Sequence, residues 1–145
     1  MALINIYKGT DITSGGTEGT LVSSGDNSNS IETGYIKIPA SGFTESEWVK
    51  IGIRCTTGHK TILENSRHAR VSITDSGDVT RWQLALDDSG SPSGSPSAYG
   101  SPLDFTSEIG STNVIFWIRA KAESSEVPVN STQVKVTLSA TIGAV

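Results

Sequence analysis

Two histidines, His59 and His68, and one cysteine, Cys55, are the only side chains in these 145 residues suited to act as a general base or thiol nucleophile near neutral pH. Neither histidine has a nucleophile in a recognisable setting, and no G-x-S-x-G elbow occurs. Zinc ligand pairs at short spacing are also missing. Both histidines therefore read as solvent-exposed turn residues. Oxygen ligands for calcium are better represented, by Asp75 with Asp78, Asp87 with Asp88, and Asp26 with Asn27. None follows the D-x-[DN]-x-[DN]-G loop, and Asp favours turns simply because it hydrogen-bonds its own backbone. Asn130-Ser131-Thr132 is a formal glycosylation acceptor, read as a chance match. The expectation is a protein that is not an enzyme, with no catalytic residue, no cofactor and no metal.

What remains is a pairing of indoles with cations. In 48–56 (WVKIGIRCT), Val49, Ile51, Ile53 and Cys55 alternate with Trp48, Lys50, Gly52 and Arg54. In 112–122 (TNVIFWIRAKA), Val114, Phe116, Ile118 and Ala120 alternate with Ile115, Trp117, Arg119 and Lys121. Each nominally wet face thus carries a tryptophan among cations. If the two strands are neighbours, as the third and sixth strands of an immunoglobulin-type sandwich are, they form one basic, aromatic outer face. Two outcomes follow. The indoles lie under Lys and Arg stems and serve packing alone, or the face docks on another protein, Trp and Arg being enriched in interface cores. The candidate partner-binding residues are Trp48, Lys50, Arg54, Trp117, Arg119 and Lys121. Tyr99 joins them from 87–102, a stretch with Gly-Ser-Pro at 90, 94 and 100 that reads as a long loop without a regular ladder.

The elements positioning these residues are strands. In 133–142 (QVKVTLSATI), Val134, Val136, Leu138, Ala140 and Ile142 alternate with Lys135, Thr137, Ser139 and Thr141. This run is expected to close the fold as an antiparallel hairpin with 112–122, across a polar connector containing Pro128. Further strands are expected at 2–7, at 31–39 with Ile36 and Ile38 inward, at 69–74 with Val71 and Ile73 inward, at 79–86 with Trp82, Leu84 and Leu86 on one face, and at 103–106. A short apolar piece is read at 61–63, and a turn at 40–47. About eight or nine short strands give an all-β, immunoglobulin-like antiparallel β-sandwich with little helix. The whole of 1–145 reads as one domain, with 1–30 as an N-terminal arm whose 2–7 strand either starts its own sheet or pairs with a neighbouring subunit.

A formal charge of −4 argues against non-specific nucleic-acid or anionic-membrane binding, which rely on a positive field. No apolar run approaches the roughly 20 residues of a membrane span, and residues 1–10 lack the pattern of an export leader. A single cysteine makes no internal disulfide. Cys55 reads as an inert core residue.

From 48 onward the chain resembles small immunoglobulin-like structural proteins of tailed bacteriophages. The resemblance is carried by 48–60 (WVKIGIRCTTGHK), 82–87 (WQLALD), 98–100 (AYG), 109–122 (IGSTNVIFWIRAKA) and the closing 134–140, so it spans roughly two thirds of the chain. It implies a non-enzymatic virion protein made and assembled in the host cytoplasm, a capsid decoration protein that decorates or reinforces the capsid surface. A tail or tail-tip surface module is the alternative. The implied partners are the major capsid or tail protein and further copies of the chain in a homo-oligomeric assembly. A carbohydrate-binding or adhesion sandwich recognising host glycans is the rival, since exposed Trp and Tyr stack sugars.

Overall fold

The computed structural model describes residues 3–23, 36–74, 79–125 and 135–145. Among them are eleven strands: β1 (Ile4–Lys8), β2 (Thr20–Ser23), β3 (Phe43–Glu45), β4 (Val49–Cys55), β5 (His59–Ile62), β6 (Ala69–Thr74), β7 (Trp82–Asp88), β8 (Ser91–Pro92), β9 (Leu103–Phe105), β10 (Val114–Glu123) and β11 (Lys135–Ala144). They form two antiparallel sheets packed as a sandwich, as the alternating runs predict. The larger has seven strands in the order β2-β1-β4-β10-β7-β8, with β3 also on β10; the smaller runs β5-β11-β6-β9.

Period-two alternation decides which side chains enter the core. Ile51, Ile53 and Cys55 of β4 and Phe116, Ile118 and Ala120 of β10 point inward, against Val71 and Ile73 of β6 and Leu103 and Phe105 of β9. Phe105 and Phe116 meet edge to face at 6.0 Å across the two sheets, a contact worth about 1 kcal/mol beyond its buried area. Leu84 is fully buried, but Leu86, on the same side of β7, is 41% exposed near the sheet edge.

The closing hairpin does not form. β10 pairs with β4, β7 and β3, whereas β11 pairs with β5 and β6 in the other sheet. Their dry faces meet across the sandwich: Val136, Leu138 and Ala140 of β11 pack on the cluster containing Phe116 and Ile118. Alternation fixes a strand's faces and leaves its neighbours open, and two strands of opposite sheets satisfy the same pattern.

Other differences are local. The 2–7 run starts its own sheet, with β1 between β2 and β4. Residues 36–39 are irregular with Ile36 and Ile38 half-buried, while 31–35 lie outside the described residues. Part of the 40–47 turn is β3, paired with the end of β10. In β5 it is Thr61 that is buried, and Ile62 and Leu63 are exposed. The Thr61 hydroxyl accepts the Ile109 N–H at 2.9 Å and shares a hydrogen bond with His68 Nδ1 at 3.1 Å, which makes its burial tolerable.

The 87–102 stretch is a partial ladder, not a free loop. Ser93 N–H donates to Leu86 O at 2.8 Å, Ser97 N–H to Leu84 O at 2.9 Å and Gly100 N–H to Trp82 O at 2.8 Å. Each Gly-Ser-Pro-Ser unit spends four residues to match two of β7. Its proline lacks a donor, and the serine after it supplies one. The repeat thereby covers a sheet edge that would otherwise be open to another strand.

Candidate functional site

The seven candidate residues share one surface, the outer face of the seven-stranded sheet. In β4 and β10 the register sets Trp117 opposite Lys50 and Ile115 opposite Gly52. Trp48 lies in the break between β3 and β4, not on a strand. There Ser46 satisfies both polar backbone groups of Ala120: its N–H donates to Ala120 O at 2.8 Å and its Oγ accepts Ala120 N–H at 3.0 Å. The break turns Trp48 over Arg119, whose guanidinium carbon is 4.3 Å from the ring centroid.

Each of the four candidate cations has an aromatic partner. Arg54 stacks on Tyr7 at 3.5 Å, Lys50 stands 5.6 Å from the Trp117 centroid, and Lys121 lies 4.8 Å from Phe43 and 4.2 Å from Tyr99. Their polar atoms are engaged as well. Arg119 reaches Glu45 at 2.8 Å and donates to Gln83 Oε1 at 2.8 Å, and Gln83 donates to Ser97 O at 2.9 Å. Trp117 Nε1–H donates to Asp87 Oδ1 at 2.9 Å, and Lys121 pairs with Glu123 at 3.4 Å. The Tyr99 hydroxyl donates to Glu45. Burial, with that carboxylate close by, pushes the phenol up to about 12.

The expected basic face is therefore only partly basic. Glu45 of β3, Asp87 of β7 and Glu123 of β10 stand among Lys50, Arg54, Arg119 and Lys121, and Arg81 also pairs with Glu123 at 3.2 Å. The alternation of β7 carried the signal for Gln83 and Asp87, which sit opposite Leu84 and Leu86. Glu45 and Phe43 were hidden in what reads as a turn.

One end of the face is covered by the chain itself. Ile12, a lone apolar residue in the polar β1–β2 loop, is 0% exposed and rests against Gly52. Lys50 donates to Ile12 O at 3.1 Å, Arg54 to Glu18 O at 2.9 Å and to Asn113 Oδ1 at 2.7 Å. Gly15 N–H donates to Asn113 O at 2.9 Å and Asn113 N–H to Gly16 O at 2.8 Å. This strap buries Ile115 to 5%. Arg54 is thus a clasp of the strap, while Trp48, Trp117, Tyr99, Arg119 and Lys121 form the open part.

The residues first considered for chemistry are dispersed. Cys55 is buried, its thiol donating to Ile109 O at 3.4 Å, and burial pushes its pKa up. Both histidines are half-buried and hydrogen-bonded rather than free in solvent, with His59 Nδ1 3.0 Å from Thr56 Oγ1. Asp87 is committed to Trp117 and to Gly90 N–H, which donates to its Oδ2 at 3.2 Å. No group of three or more His, Cys, Asp or Glu able to hold a metal occurs among the described residues. Asp26, Asn27, Asp75, Asp78 and Asn130 lie outside those residues. No protein-family model matches this chain, and neither does any curated protein or solved structure.

Proposed function

We propose that this chain is a non-enzymatic structural protein of a tailed-bacteriophage virion, present in many copies and assembled in the host cytoplasm, where it decorates or reinforces the capsid surface. The resemblance of 48–140 supports the reading, and one structural observation carries it: Trp48, Trp117 and Tyr99 are held half-buried on one sheet face, each against a cation. Side chains already fixed lose little further freedom on docking. Trp, Tyr and Arg are also the residue types that anchor interfaces. Because Glu45, Asp87 and Glu123 offset most of the positive charge on the face, the matching surface on a capsid protein or a second copy is mixed and mainly apolar, not strongly acidic.

Co-sedimentation of the purified chain with particles lacking it tests the reading. Saturable binding to capsids, weakened by a folded Trp117→Ala variant, is the expected result. Binding to isolated tails alone would move the protein to a tail or tail-tip position. Equal binding by the folded variant would remove this face from assembly, and no binding to either particle would overturn the structural role.

A further inference from the structure

An open groove of about 360 Å³ lies on the same outer face, between the strap and the β7–β8 turn. It lies over the buried Ile12 and Ile115, Thr13, Ser14 and Ser89 bring hydroxyls to its rim, and Lys50 and Asp87 flank it. Lys50 rises from β4 and Asp87 from β7, strands on opposite sides of β10 and hence about 10 Å apart. Trp117 of β10 orients both, with the ammonium over its ring and the carboxylate on its Nε1–H.

We propose that this groove binds a neutral saccharide of one or two rings. The volume falls at the low end of the range for small-molecule sites, about 300–1,000 Å³. Asp87 accepts one N–H on each oxygen and keeps lone pairs free, while the Lys50 ammonium has three N–H groups and gives one to Ile12 O. One wall thus offers acceptors and the other donors. Their charges cancel, which gives an ionic ligand no net attraction. An alcohol hydroxyl both donates and accepts, which suits a neutral polyol to a site with acceptors on one side and donors on the other. The groove shares Trp117 with the proposed docking face, whose other anchors, Trp48 and Tyr99, lie outside it, so the variants that test the groove are placed at Lys50, Asp87 and Ser14.

The test is titration of isotopically labelled protein with maltose, cellobiose, lactose and N,N′-diacetylchitobiose, each followed by amide and methyl resonances. With at least one of them, the Ile12 and Ile115 methyls and the Gly90 amide are expected to shift saturably, with Kd of about 1 mM or tighter. Lys50→Met and Asp87→Asn should each weaken binding about tenfold or more. Ser14 is exposed, so Ser14→Trp fills the mouth without disturbing the core and should abolish the shifts; it decides the outcome if either other variant fails to fold. Absence of saturable shifts with all four sugars, or shifts unchanged by Ser14→Trp, would overturn the proposal. Preferential binding of glutamate or sialic acid would overturn the neutral class.

Discussion

Ile12 occupies the space that a side chain at Gly52 would need: a β-carbon there would stand 3.1 Å from Ile12 Cγ2 and 3.2 Å from Asn113 Oδ1. The glycine in β4 is thus the socket for the strap. Ile12→Ala is expected to cost about 2–4 kcal/mol, the usual loss for emptying a filled apolar site. Gly52→Val should lift the strap outright. Urea denaturation gives the first number, and faster hydrogen exchange at the Gly15 and Asn113 amides identifies the strap as the part released.

Arg119 joins three partners, Trp48, Glu45 and Gln83, through the flat face and the edge of one guanidinium. Replacing it by Lys keeps the charge but loses the fork and the stacking plane. Arg119→Lys should cost about 1 kcal/mol and Arg119→Met about 1–2 kcal/mol, modest because the pair is partly solvated. Equal stability of all three proteins in denaturant would show the stack to be ornamental to folding.

Tyr99 should be the late-titrating phenol. Its ordinary value is 10.0, and burial followed by the Glu45 hydrogen bond raises it to about 12 in the folded chain. The folded state therefore keeps this proton when the unfolded chain has lost it. The stability linked to Tyr99 is complete below pH about 10 and falls away as pH rises to about 12. An absorbance titration of phenolate should show one delayed step, missing in Tyr99→Phe; the same late step in both proteins would refute the assignment.

The Gly-Ser-Pro-Ser repeat makes an edge prediction. Ser97→Pro removes the N–H donated to Leu84 O and the hydroxyl that donates to the same carbonyl at 3.0 Å. A loss of about 2–3 kcal/mol is expected, together with concentration-dependent association seen by size-exclusion chromatography, because β7 gains an open edge. Gly94→Ala meets nothing within 4 Å and should leave both readouts unchanged.

Much of the candidate face was legible beforehand because one rule governs it. Alternation assigned Lys50, Arg54, Trp117, Arg119 and Lys121 to the side opposite Ile51, Ile53, Phe116 and Ile118, and the pairing of Trp117 with Lys50 places them together. The acids that offset most of its charge were less visible. Glu45 belongs to a three-residue strand, too short for any periodicity, and the importance of Asp87 depends on the indole it meets from another strand.

The sequence by itself determined the two-sidedness of the long strands, the burial of Cys55 and the all-β character, since each follows from side chains two residues apart along one extended backbone. Tertiary structure alone decided that β10 and β11 face each other from opposite sheets, that a polar loop plugs Gly52 with Ile12, and that a serine-proline repeat covers β7. Those outcomes depend on contacts between segments far apart in the chain, and local periodicity carries no information about which distant segment arrives.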